Sequence, residues 1–92
     1  MRFLDRVVIK HGPRGRRSVG SVREAAAYLL KGWPEEGRGD AYNRALDICG
    51  EVIAGMLPIP SARIAFIVAA REVGIFVGTE PAERGRRRST KP

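Results

Sequence analysis

The stretch that decides the fold is Ser21-Val22-Arg23-Glu24-Ala25-Ala26-Ala27-Tyr28-Leu29-Leu30-Lys31-Gly32-Trp33-Pro34. Ser21 and Glu24 stand at capping-box spacing. The Ser21 hydroxyl can accept from the Glu24 amide, and the Glu24 carboxylate can reach back to the amide of Ser21. Behind the box, Val22, Ala25, Ala26, Leu29, Leu30 and Trp33 recur at helical spacing and make one apolar stripe. Gly32 ends the helix and Pro34 prevents its continuation. A helix greasy on one side requires a neighbouring layer, and the rest of the chain supplies it.

Upstream, residues 3–10 read Phe-Leu-Asp-Arg-Val-Val-Ile-Lys. Side chains alternate across a strand, so Phe3, Val7 and Ile9 share one face and Arg6, Val8 and Lys10 the other. His11-Gly12-Pro13-Arg14-Gly15 reads as a turn, and Arg16-Arg17-Ser18-Val19 as the return strand of a β-hairpin.

Downstream, Asp40 offers an N-cap to a second helix. Ala41, Ala45, Ile48, Cys49, Val52 and Met56 mark its stripe, and Arg44, Asp47 and Glu51 its wet side. Gly50 inside it costs about 1 kcal/mol against alanine, a cost that close approach of a neighbouring backbone would explain. Gly55 is the natural stop. Pro60 opens a third helix that runs to about Val73, with Gly74 beyond it. Ala62, Phe66, Ala69, Ala70 and Val73 share one face of this helix, while Ile64, Ile67 and Val68 lie on the other beside Arg63, Arg71 and Glu72. Two apolar faces place the third helix at the centre, with the hairpin or another subunit covering the far side. Ile75-Phe76-Val77 reads as a short third strand or a packed extension.

These residues predict an α+β fold, a hairpin packed on three amphipathic helices, as a single domain over residues 1–78. From Thr79 to Pro92 alanine is the one small apolar residue, too little to offset the entropy of ordering, so residues 79–92 are expected to be a disordered basic tail.

The matched stretches Ser21–Ala26 through Leu29-Leu30 to Trp33-Pro34, then Arg44–Asp47 with Cys49 and Gly55, then Ala62-Arg63, Ala65–Ile67, Ala69–Glu72 and Gly74-Ile75, cover roughly residues 3–77. In order and spacing they resemble the domain-of-unknown-function family numbered 982, small bacterial proteins found in rhizobia and their relatives. The resemblance implies a single α+β domain. It brings no catalytic residue to carry over.

Chemistry is sparse. The single His11 and single Cys49 lie far apart, one in a turn and one on a helix stripe, where metal ligands would have to converge. Cys49 reads as a small core residue, and one cysteine forms no internal disulfide. Ser18, Ser21 and Ser61 lack a nucleophile-elbow context. No cofactor, metal or catalytic residue is expected, and the chain does not read as an enzyme. Arg63 and Asp47, set in apolar helices, suggest an inter-helix ion pair.

No apolar run approaches the ~18–20 residues of a spanning helix, and Met1–Arg6 lacks the apolar stretch of a secretory signal. A cytoplasmic protein that does not enter membranes is expected. The net charge is +7, of which residues 79–92 supply +3. A polyanion is therefore one candidate partner, contacted by Arg14, Arg16 and Arg17 on the hairpin and Arg84, Arg86, Arg87 and Arg88 in the tail. The other candidate surface is Ile64, Ile67 and Val68, facing a protein partner or a homodimer. The leading expectation is a non-enzymatic accessory or regulatory protein acting by protein–protein binding. The alternative is weak, sequence-nonspecific nucleic-acid binding through the arginines.

Overall fold

The computed structural model describes residues 2–81. In chain order it contains β1 (Arg2–His11), β2 (Gly15–Ser21), α1 (Val22–Lys31), α2 (Asp40–Ile53), α3 (Ile59–Glu72) and β3 (Phe76–Pro81). A single 3-10 turn, Glu35–Gly37, joins α1 to α2. The fold is α+β, with an antiparallel sheet of order β2-β1-β3.

Alternation places Phe3, Val7 and Ile9 under the helices, and Val19, the ladder partner of Val7, joins them. Gly12, at φ 74°, takes the left-handed conformation that the hairpin turn needs. The third strand forms and is longer than expected. Thr79, Glu80 and Pro81 pair with Val7, Arg6 and Asp5, so the strand passes the boundary drawn at Gly78. The ladder supplied by β1 orders three residues whose own composition would not. Residues 82–92, the rest of the expected tail, lie outside the described residues.

The Ser21 hydroxyl accepts from the Glu24 amide at 3.1 Å. Glu24 answers one residue further back than expected, its carboxylate accepting from the amide of Gly20 at 2.7 Å. The buried face of α1 is also rotated from the expected stripe. Tyr28 is inside and Leu30 is 59 % exposed. A tyrosine ring can be buried if its hydroxyl reaches a polar edge, and the Tyr28 hydroxyl lies 3.2 Å from His11 Nδ1.

Asp40 is the first residue of α2 rather than its cap. Gly39 holds the capping position, and the Asp40 carboxylate instead favours the positive end of the helix dipole. Tyr42 replaces Met56 on the buried stripe. After Ile53 the chain closes a Schellman turn, with Gly55 N–H donating to the Val52 carbonyl and Met56 N–H to that of Glu51. Gly55 is left-handed at φ 85°. Met56 is therefore off the helix and exposed. Gly50 meets no neighbouring backbone, since a Cβ there would point into open space. The same Schellman pattern, around Gly74, ends α3.

α1 lies against β2, α3 against β1 and β3, and α2 against both helices. α3 thus touches α1, α2 and two strands, which is the central position. One arc accomplishes this: Ala62, Ala65, Phe66, Ala69 and Ala70 are buried, and their small side chains let the sheet and α2 approach the same helix. Trp33 closes the core, with ring centroids 5.7 Å from Phe66, 5.9 Å from Tyr42 and 6.0 Å from Tyr28.

Candidate binding surfaces

The buried arc of α3 leaves Ile64 and Val68 outside it, 58 % and 49 % exposed. The hairpin does not cover them. Ile67, expected to share their surface, is half-buried and packed against the core. It sits on the opposite flank of the buried arc, at about 100° per residue from its neighbours.

Ile64 and Val68 border a groove of about 550 Å³ between α2 and α3. Its apolar lining also includes Ala41, Ile48 and Ala65, and Asp40, Arg44, Ser61 and Glu72 bring polar groups to it. Helical spacing places Ala41 and Ile48 on the core stripe of α2. They are half-buried because that stripe is shared between the core and the groove. The width of the stripe does not separate core from groove, since α2 packs against both α1 and α3.

The expected Arg63–Asp47 pair does not form. Arg63 turns to β1, where its Nε donates to the Asp5 carbonyl at 3.2 Å and its Nη2 lies 4.0 Å from Asp5 Oδ2. Asp47 is on the exposed side of α2. Arg63 is on the sheet-facing side of α3, which takes it away from α2.

The hairpin arginines are separated by strand alternation. Arg16, ladder partner of Lys10, projects from the sheet face that carries no helix. Arg17, paired with Ile9, projects the other way, its guanidinium 5.5 Å from the Tyr28 ring centroid. Arg14 is in the exposed turn. Arg84, Arg86, Arg87 and Arg88 lie outside the described residues.

The helix-free face gathers more cations than the hairpin arginines alone. Arg2 and Arg6 line a small polar hollow with Ser18, Gly20, Ser21 and Glu24, and Lys10 stands two residues beyond Val8 on the same side. The signal for Arg6 and Lys10 was the alternation that sets them opposite Val7 and Ile9. Two acids border these cations: Glu24 in the hollow with Arg2 and Arg6, and Glu80, set opposite Arg6 and accepting from the Ser18 hydroxyl at 2.7 Å.

Burial pushes the Cys49 thiol up to about 11, so it stays protonated and unreactive near neutrality. Burial likewise raises Tyr28, against the lowering pull of Arg17. Among the described residues no group of three His, Cys, Asp or Glu is placed to hold a metal ion. Within the same residues no helix is long and apolar enough to cross a membrane.

No curated protein and no solved structure matches the chain. The family model described as Protein of unknown function (DUF982) matches residues 6–77, from β1 into β3 and through all three helices, and the chain belongs to that family.

Proposed function

We propose that the protein is a non-enzymatic accessory protein that acts by binding, and that a second copy of the chain fills its α2/α3 groove. The observation that carries this reading is the exposure of Ile64 and Val68 beside an apolar groove. Large apolar side chains grouped on a surface favour burial against a partner.

The character of the surface favours self-association. A two-fold interface must be complementary to itself. Here a ridge, Ile64 and Val68, adjoins a trough floored by Ala41 and Ala65. Arg44 and the acids Asp40 and Glu72 occupy the same groove, so a two-fold axis can set each cation against the other copy's acid.

Sedimentation from micromolar to millimolar protein tests this reading. A concentration-dependent dimer is expected, and Ile64→Asp or Val68→Asp should yield a monomer whose melting midpoint matches that of the parent at dilutions where the parent is monomeric. A monomer across the whole range overturns it.

A further inference from the structure

We infer that the helix-free face of the sheet, with the hairpin turn at its end, binds the sugar-phosphate backbone of double-stranded nucleic acid without reading its sequence. From Arg6 to Arg23 the chain carries six Lys or Arg residues and no acid. Strand alternation sets Arg6, Lys10 and Arg16 on the helix-free side, and Arg14 is exposed in the turn at its end.

The Lys10–Arg16 relationship is the clearest sign. The two are direct ladder partners on adjacent antiparallel strands. Like charges directly opposite each other oppose pairing of the strands. Glu80 lines the same hollow as Arg16 but is the ladder partner of Arg6, and its carboxylate accepts from Ser18. Local rules are broken chiefly at functional or strained sites, and this exposed pair leaves two cations facing solvent.

The chemistry of the face selects its partner. A protein interface is built around a buried apolar or aromatic centre. This face offers an exposed Leu4, and Val8 and Val77 in one hollow beside Arg16, with no aromatic ring among them. The turn residues Gly12, Pro13 and Arg14 carry no large apolar side chain to enter a lipid surface. Without a stacking ring, single-stranded bases gain nothing here. A duplex backbone requires only cations at intervals, and a two-stranded β-ribbon fits the major groove.

The test is fluorescence anisotropy of a labelled, random-sequence DNA duplex titrated with the full chain between about 50 and 200 mM salt. Four neutralised phosphates on this face give a log K against log salt slope of about −3 to −4, and contacts from the tail arginines would steepen it. The Lys10→Gln/Arg16→Gln double variant should make that slope shallower by about 2, with no loss of melting midpoint. Arg14→Gln, in the exposed turn, should remove about 1. A variant with Arg84, Arg86, Arg87 and Arg88 all changed to Gln should keep a slope of about −3. A salt-independent signal, an unaltered double variant or loss of all binding in the tail variant overturns the inference. Equal affinity for phosphatidylserine vesicles at the same salt does so too, in favour of a lipid surface.

Discussion

The Tyr42 hydroxyl donates a 2.7 Å hydrogen bond to the carbonyl of Leu29, tying the first turns of α2 to the last turn of α1. The last four carbonyls of a helix have no partner within it, so this bond satisfies a group that burial would otherwise strand. Tyr42→Phe removes the donor and leaves the carbonyl. It should cost about 1–2 kcal/mol. In thermal unfolding that is a drop of at least about 4 °C for a domain of this size.

Gly50 and Gly55 should respond to alanine in opposite directions. Gly50 is helical, exposed and faces open space, so Gly50→Ala gains helix propensity and should stabilise by about 0.5–1 kcal/mol. Gly55 is left-handed and closes the Schellman turn, so Gly55→Ala should destabilise by about 1 kcal/mol. Denaturant midpoints of the two variants, measured side by side, check both signs.

The buried thiol makes stability fall in alkali. An unfolded Cys49 loses its proton near 9.0 and the folded one near 11. The folded state therefore holds the proton more tightly. Stability is intact below pH 9 and declines as pH rises from 9 through 11. With allowance for solvent screening, the loss should be about 1–2 kcal/mol. Tyr28, also raised by burial, acts in the same direction above pH 10. Cys49→Ala should flatten the denaturant midpoint between pH 9 and 11 relative to the parent.

The Arg63–Asp5 contact should matter through the guanidinium's hydrogen bond to the Asp5 carbonyl more than through the Asp5 carboxylate. The ion pair spans 4.0 Å and the Asp5 side chain is 53 % exposed. Asp5→Asn should change stability by less than about 0.5 kcal/mol. Arg63→Ala also loses the bond to the Asp5 carbonyl, and should cost about 1 kcal/mol. Thermal melts of the two variants at low and high salt separate these contributions.

Elements with strong local signals were legible in the sequence. The capping box, the left-handed glycines and the alternation of Phe3, Val7 and Ile9 each rest on neighbours a few residues apart. What misled was the fine rotation of faces. Leu30 is more apolar than Tyr28, yet Tyr28 is the one inside, its hydroxyl paired with His11, seventeen positions earlier. β3 extended past Gly78 because its order comes from β1, and pairing across the whole chain leaves no mark on composition. At the candidate surfaces, Ile64 and Val68 could be read from helical spacing alone. The groove beside them could not, because it depends on how α2 and α3 cross. Arg63 met Asp5 rather than Asp47 for the same reason: a charge's partner is set by tertiary geometry.

The chain has one tryptophan, and Trp33 stands where α1, α2 and α3 meet, its indole N–H bonded to the Gly37 carbonyl at 3.0 Å. Its emission is therefore a built-in optical gauge of the helical layer. A hairpin that frays at Gly12 would leave that emission unchanged while its amides exchange freely with deuterium. Fluorescence and amide exchange, recorded on the same sample, would thus show whether sheet and helices come apart together or in turn.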